Sequence, residues 1–230
     1  MIRHAAAWIV IAAALAARGG DLPAPTYTVE GGAFVRHNGD RFNNRPLYAN
    51  QMTAVVVGGD RPLLRFGLGV TQSGTFMVGL ARGDQSRWLH DASDITMKYR
   101  PGRLEWVVRD AAIPGTTVVL EAVPPADGGG LALRARIEGA QPGDRLVWAC
   151  GGAFRISNET IVAYWDVTTG GRGKTMERGF RAEECAGNLV VAEGATFRVG
   201  TAPGERVGTA VGRCSATGAV RVADAASARD

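Results

Sequence analysis

Apolar and polar residues alternate in short runs along most of this chain, and glycine or proline separates one run from the next. Alternation puts successive side chains on opposite sides of an extended backbone, so such runs are typical of β-strands with one buried face. The clearest run is Leu131–Glu138, where leucine, alanine and isoleucine alternate with alanine, arginine and glutamate. From Tyr27 onward no stretch of three or four helical turns carries a 3.6-residue apolar period. The pattern predicts an all-β chain.

Turn signals between these runs indicate how the strands connect. Gly31-Gly32 predicts a hairpin, and Asn38-Gly39-Asp40 is the strongest short turn signal because Asn and Gly accept a positive φ. Short strands separated by such turns favour an antiparallel β-sandwich, of which a galactose-mutarotase-like supersandwich is one form. The strand predictions are Thr26–Glu30, Ala33–His37, Met52–Val57, Leu63–Val70, Thr75–Ala81, Asp94–Tyr99, Leu104–Arg109, Thr116–Ala122, Leu131–Glu138, Leu146–Ala149, Leu189–Ala192, Thr196–Gly200 and Gly218–Val222.

The N-terminus has the layout of a secretory signal peptide. Arg3 and His4 precede an uncharged, mostly apolar run, Ala5–Ala17, and the small residues of Ala14-Leu15-Ala16 suit cleavage after Ala16. The run is shorter than the roughly 20 residues needed to cross a bilayer, so we expect no membrane span. The predicted organisation is a signal peptide at 1–16, a linker at 17–26, one sandwich domain at 27–222 and a disordered tail at 223–230. The location expected for the mature protein is secreted or periplasmic.

Charge and cysteine content argue against several classes of function. The chain has 26 Lys and Arg residues against 22 Asp and Glu, but its basic residues are scattered, with no block of like charge. Nucleic-acid binders group basic residues on one face, so no nucleic-acid partner is expected. Cys150, Cys185 and Cys214 fit no zinc-binding spacing and leave one thiol unpaired if two form a disulfide. We expect no metal and no cofactor.

No catalytic residue is predicted. Thr168–Thr175 resembles a phosphate-binding loop, but Thr168 stands where that loop has glycine, and Gly179 falls where a helix should follow. Glycoside hydrolysis uses paired carboxylates. The candidate pairs are Asp91 with Asp94, Glu159 with Asp166, and Glu183 with Glu184, and each is more typical of a solvated surface.

Aromatic and hydrogen-bonding side chains provide the candidates for carbohydrate binding. Trp148 lies in an apolar strand and is interpreted as core, whereas Trp88, in a polar loop, is the best exposed candidate and Trp165 the second. In the run Arg41–Asn50, the Asn and Arg donors could bind sugar hydroxyls or tie a loop to backbone carbonyls. If they bind sugar, Asn43 and Arg45 are the candidates.

Several segments resemble the N-terminal region of a family of large secreted bacterial proteins catalogued as domain of unknown function 4450. The segments are Tyr27–Phe34, Arg41–Asn50, Arg65–Gly69, Trp148–Phe154 and Cys185–Asn188. The resemblance implies a β-sandwich that precedes a helical toroid similar to those of glycoside hydrolases, in proteins that occur among polysaccharide-degrading enzymes. The chain has Ala49 where the family often has Gly, and it ends where the sandwich would end, so the toroid and its catalytic acids are expected on another module.

Two functions from different classes follow as hypotheses. The first is a non-catalytic N-terminal sandwich of an exported, glycan-degrading protein, which lines or braces a cleft for a polysaccharide or oligosaccharide and partners a C-terminal or separate catalytic domain. The second is a self-standing carbohydrate-binding or adhesion sandwich. A purely structural envelope domain is the third alternative.

Overall fold

The computed structural model describes residues 27–40, 45–47, 56–68, 71–125, 130–151, 188–201 and 210–214, together with Val220 and Val222. Apart from one short 3₁₀ helix, Leu89–Asp91, every regular element in these residues is a β-strand. The all-β prediction is therefore confirmed. The predicted signal peptide at 1–16, linker at 17–26 and tail at 223–230 lie outside the described residues.

The strands are numbered in chain order, and every pairing between them is antiparallel. They are β1 (Thr28–Glu30), β2 (Ala33–His37), β3 (Arg45–Leu47), β4 (Val56–Gly58), β5 (Leu63–Leu68), β6 (Thr71–Arg82), β7 (Gln85–Trp88), β8 (Asp94–Arg100), β9 (Arg103–Arg109), β10 (Thr117–Val123), β11 (Ala132–Glu138), β12 (Asp144–Gly151), β13 (Asn188–Glu193), β14 (Thr196–Thr201) and β15 (Ala210–Arg213).

Three sheets are formed. Sheet A has six strands in the order β1-β2-β8-β9-β10-β11. Sheet B has the order β12-β6-β5-β4-β3, with β7 also paired to β6. The long strand β6 pairs with β5 along its first part and with β7 along its last part, while β12 occupies its other edge. Sheet C is the small meander β13-β14-β15.

Sheets A and B pack face to face and form the sandwich. Their inner faces share one buried cluster, to which β8, β9 and β10 contribute from sheet A, and β3, β5 and β6 from sheet B. The alternation predicted for β11 is confirmed, since Leu133, Ala135 and Ile137 pack against this cluster while Arg134 and Arg136 are exposed. Sheet C contacts sheet B through Phe197, whose ring centroid lies 5.0 Å from that of Trp148.

Most strand predictions are confirmed to within a few residues, and the exceptions have local causes. Gly31 and Gly32 form the predicted hairpin turn with φ of 54° and 75°. Asn38 adopts a positive φ of 46°, but the turn there does not join a hairpin. Asn38 follows the last residue of β2, and its side-chain Oδ1 accepts the Ile95 N–H of the neighbouring strand β8 at 2.8 Å. Strands β3, β7 and β15 were not predicted. The predicted strand Gly218–Val222 is wrong at Val220 and Val222, which lie in no strand.

Trp106 is the central contact between the two large sheets. Its side chain is fully buried, and its indole Nε1 donates a hydrogen bond to the Gly59 carbonyl at 3.0 Å. A Cβ atom at Gly58 would lie 2.6 Å from Leu104 Cδ1 and 3.3 Å from Trp106 Cζ2. The end of β4 can therefore approach β9 this closely only because residue 58 has no side chain.

A polar clasp closes the sandwich at another point. Arg82 on β6 and Asp144 on β12 are directly opposite each other, with Nε donating to Oδ1 at 2.6 Å and Nη2 to Oδ2 at 3.1 Å. From the segment before β10, the Thr116 hydroxyl donates to Asp144 Oδ2 at 3.0 Å, and the Pro114 carbonyl accepts from Arg82 Nη1 at 3.0 Å. The clasp thus ties two strands of sheet B to sheet A.

The clasp keeps Asp144 ionised. The hydrogen bond from Arg82 and that from the Gln141 N–H lower the pKa of Asp144 well below its usual value, and burial opposes this only in part. The same contact raises the pKa of Arg82. Both partners therefore carry full charge at any pH near neutrality.

We expect Gly58→Ala to lower the free energy of unfolding by about 1–3 kcal/mol, because the added methyl group overpacks the contact between β4 and β9. Urea denaturation measures the change. Gly130→Ala is the matched control, since a Cβ there meets nothing nearer than Pro125 Cγ at 4.0 Å. Equal losses in the two variants would contradict the close approach of the sheets at residue 58.

We expect the clasp to fail in acid. Because the folded-state pKa of Asp144 lies below its unfolded value of about 3.9, the clasp contributes stability above that pH and loses it as the pH falls further. Urea titrations across this range should show a shallower acid loss of stability in Asp144→Asn than in the unmodified chain. Asp94→Asn, at an exposed pair with Arg109, should keep the original slope. Identical slopes in all three proteins would refute the role of Asp144.

Candidate functional site

Trp88 is the one sequence-predicted site residue whose side chain the structure describes. It is the last residue of β7 and lies directly opposite Gly79 on β6, so the prediction of a polar loop around it is wrong. The alternation that marks a strand is absent from Gln85–Trp88 because its first two residues are both polar and exposed. Trp88 itself is half-buried, and it belongs to sheet B.

Gly79 determines how the Trp88 ring lies. A Cβ atom at residue 79 would be 3.0 Å from Trp88 Cε3 and 3.0 Å from Val147 Cγ2. Residues that lie opposite each other on neighbouring strands share a face, so Trp88 and Val147 flank Gly79 on the same face of sheet B. Both side chains therefore lean over the space that a larger residue would fill.

The 3₁₀ helix after β7 supports the ring from another direction. The rings of Trp88 and His90 are stacked, with centroids 6.5 Å apart and planes 19° apart. Arg61 holds the helix by donating from Nη1 to the carbonyls of His90 at 2.7 Å and Ala92 at 3.5 Å. His90 is buried, and burial lowers its pKa although the nearby Asp91 carboxylate opposes this. The stack is therefore between two neutral rings at neutral pH.

Around Trp88 the outer surface of sheet B is partly open to solvent. Along β6 the outward residues Thr75 and Met77 are buried, whereas Arg145 and Val147 on β12 are exposed. The cross-strand rows are Trp88–Gly79–Val147 and Ser86–Ala81–Arg145. We call these six residues the Trp88 platform. It combines an aromatic ring with a hydroxyl and a guanidinium on one face.

Of the remaining predicted site residues, only Arg45 lies in the described part of the chain, and its strand is away from this platform. Asn43 and Trp165 lie outside the described residues. The backbone of Arg45 is on β3, opposite Gly58, and strands β4 and β5 separate it from β6. Asn43, Arg45 and Trp165 therefore stay predictions. Trp148 is partly buried, packs against the core cluster and stacks on Phe76 with centroids 5.5 Å apart, which agrees with its interpretation as core.

The described carboxylates are mostly occupied by structural contacts. Asp94 pairs with Arg109 at 3.6 Å, and Asp91 lies 3.5 Å from His90 Nε2, so each has its own partner. Asp110 accepts the N–H groups of Ala112 at 2.8 Å and Ser93 at 2.9 Å. Burial of Asp110 opposes ionisation, but these N–H groups and Arg87 outweigh it and lower the pKa. The other predicted pairs, Glu159 with Asp166 and Glu183 with Glu184, lie outside the described residues.

Charge on the outer face of sheet A is balanced in the same way. Lys98 lies 3.5 Å from Glu105, and Arg103 lies 3.3 Å from Glu105 and 3.1 Å from Glu121. Such a face alternates in sign, unlike the concentrated basic surface of a nucleic-acid binder. Within the described residues no group of three or more His, Cys, Asp or Glu side chains is placed to bind a metal ion. In that same part of the chain no helix is long and apolar enough to span a membrane.

The platform residues that sequence reasoning missed are Ser86, Arg145 and Val147. Arg145 and Ser86 are far apart in the chain and meet only because β12 and β7 pair with opposite edges of β6. The signal available in sequence is the pair of small residues, Gly79 and Ala81, at alternate positions of a predicted strand. Small outward residues in a strand allow neighbouring side chains to converge over them.

The fold and the platform define an all-β sandwich with an aromatic surface patch on paired strands. The profile of the family described as domain of unknown function (DUF4450) matches residues 69–200, which is more than half of the chain. The chain therefore belongs to this family. The match includes β6, β7 and β12, and hence every residue of the platform. The resembling segments Tyr27–Phe34 and Arg41–Asn50 lie outside the matched residues. No curated protein and no solved structure matches the chain.

We expect Arg61→Met to loosen the support beneath Trp88, because the carbonyls of His90 and Ala92 lose their donor at a cost of about 1–2 kcal/mol. Hydrogen exchange should become faster at the Ala92 amide, which donates to Leu89 O at 3.3 Å. Arg134→Met, at an exposed position of β11, should leave this exchange rate unchanged. If both variants exchange as slowly as the unmodified chain, Arg61 does not hold the 3₁₀ helix.

Proposed function

We propose that this chain is the non-catalytic β-sandwich of an exported glycan-degrading protein, in which it lines or braces a carbohydrate cleft beside a catalytic module. The single observation that carries the proposal is the Trp88 platform, where a half-buried indole lies beside exposed polar side chains on one sheet face. Sugar rings present apolar C–H faces and polar hydroxyl edges, so an aromatic ring bordered by hydrogen-bonding groups suits them.

The packing around Trp88 supports a binding role. The Trp88 ring stacks on His90 on one side, and Val147 lies on the other side of Gly79. Strand β6, which carries Gly79, is paired with β7 at one edge and with β12 at the other. A side chain that is already ordered loses little conformational entropy when a ligand covers it. Binding sites built on strands also keep their geometry better than sites built on loops.

The proposal of a non-catalytic role rests on the described carboxylates. Asp144 is held in the clasp with Arg82, and Asp110 accepts backbone N–H groups, so hydrogen bonds and nearby arginines keep both ionised although burial opposes this. A glycosidase also needs a carboxyl group that stays protonated, as the general acid, near a second carboxylate. We therefore place the catalytic acids on a partner module. Export rests on the apolar run Ala5–Ala17 and its cleavage signal.

The second function, a self-standing carbohydrate-binding or adhesion sandwich, draws on the same platform. The two functions differ in what the isolated chain can do. A self-standing binder must hold glycan with useful affinity alone, whereas a domain that lines a shared cleft supplies only part of the contacts. Micromolar binding by the purified chain favours the second function, and millimolar binding that tightens when a catalytic partner is added favours the first.

We expect Trp88→Ala to weaken glycan binding by about tenfold or more, because the loss of the ring removes both its stacking contact and the apolar area it buries. A glycan array identifies the bound sugar, and isothermal titration calorimetry gives the affinity. Phe34→Ala is the matched control, since Phe34 is an aromatic residue of sheet A that is 50% exposed. Urea denaturation checks that both variants are folded.

If no glycan binds the unmodified chain, or if Trp88→Ala binds as tightly as Phe34→Ala, carbohydrate recognition by the platform is ruled out. A loss of binding in both variants would place the sugar site elsewhere on the sandwich.

A further inference from the structure

Arg145, at the edge of the Trp88 platform, is a cation without a side-chain partner among the residues that the structure describes. It is exposed on β12, opposite Ala81, and within the described residues it makes no ion pair and no side-chain hydrogen bond. The neighbouring arginines differ in this respect. Arg82 is engaged by Asp144, Arg87 lies 3.4 Å from Asp110, and Arg61 donates to backbone carbonyls. The charge of Arg145 is therefore available to a ligand.

The register places Arg145 beside the aromatic ring on the same face. Arg145 and Val147 are two residues apart on one strand, and Val147 and Trp88 flank Gly79. With about 4.8 Å between strands and about 6.8 Å between alternate residues, the backbone of Arg145 lies roughly 12 Å from that of Trp88. A sugar stacked on the indole would then have its next ring, or a ring substituent, within reach of the long arginine side chain.

We infer that Arg145 makes the Trp88 platform selective for an acidic sugar, with the guanidinium pairing to the carboxylate of a uronic acid residue. This inference rests on the proposed function, because it names the class of glycan for the same site. A carboxylate is planar and accepts two parallel hydrogen bonds from a guanidinium, so the pair is stronger and more directional than a contact with a neutral hydroxyl. Ser86, exposed in the same row as Arg145, offers a hydroxyl for a hydrogen bond to the sugar.

The surroundings of Arg145 also favour an anion. In the row Ser86–Ala81–Arg145 and the row Trp88–Gly79–Val147 there is no carboxylate. The nearest acidic residue on the same strand, Asp144, is held by Arg82 with a side chain that is 2% exposed. A uronate would therefore approach an uncompensated positive charge next to an apolar ring, and it would meet no like charge on the platform.

The test compares an oligogalacturonate with its methyl ester, which keeps the sugar rings and removes the charge. Calorimetry on the full purified chain should show the acid form binding about tenfold tighter than the ester at low ionic strength, a preference that shrinks at roughly 0.5 M salt. Arg145→Gln should remove the preference and leave ester binding intact. Arg145→Lys should retain part of it, because lysine keeps the charge but loses the planar fork. Arg134→Gln, at an exposed arginine of β11, is the matched control and should keep the full preference.

The outcomes separate this inference from the proposed function. If the acid and ester bind equally, or if Arg145→Gln keeps the preference, acidic selectivity by Arg145 is overturned while a Trp88-dependent glycan site still stands. Tighter binding of a sulfated oligosaccharide than of the oligogalacturonate would overturn the assignment to a carboxylate. Binding of neither uronate form overturns the inference, and the neutral sugars of the glycan array then decide the proposed function on their own.

Discussion

The contact of Trp106 with the end of β4 determines how the two large sheets meet. A buried indole must place its N–H against an acceptor, and the Gly59 carbonyl supplies one at 3.0 Å. The contact requires β4 to come close, which the missing side chain at Gly58 permits. Because β4 and β6 belong to the same sheet, the distance between the two sheets also determines where β6 and its neighbours β7 and β12 lie. The clasp of Arg82 with Asp144 and Thr116 then secures the same sheets with charge, at a second point.

The Trp88 platform depends on this packing of sheets A and B. The inner face of sheet B is committed to the core through Val78 and Leu80 on β6, so Gly79 between them faces the other side of the sheet. The small outward residues allow β7 and β12 to bring Trp88 and Val147 together above the strand. A larger residue at position 79 would separate them. The Trp88 platform thus depends on packing constraints that come from the opposite face of the same strand.

Sequence reasoning predicted what is local and missed what depends on pairing. The alternation in Leu131–Glu138 and the Gly31-Gly32 turn are visible within a few residues, and both agree with the structure. Strand β7 has no alternation, and it is a strand because β6 offers it an edge beyond the end of β5. The neighbourhood of Trp88 and Arg145 needs the register of three strands, which no local pattern contains. The sequence therefore marks Trp88 as a candidate through its polar neighbours, and those same neighbours predict the wrong local structure.

Arginine illustrates why net charge says little about the partners of this protein. Arg82 and Arg103 carry the same group as Arg145, but the first is bound to a buried carboxylate and the second bridges two acidic residues of sheet A. Their charge is cancelled within a few ångströms, so at physiological salt they exert little attraction beyond about 8 Å. What a ligand meets is the charge that remains uncompensated on an accessible face. Because Arg145 shares a sheet face with a ring that stacks on His90, a ligand that contacted both would not first have to order the aromatic side chain.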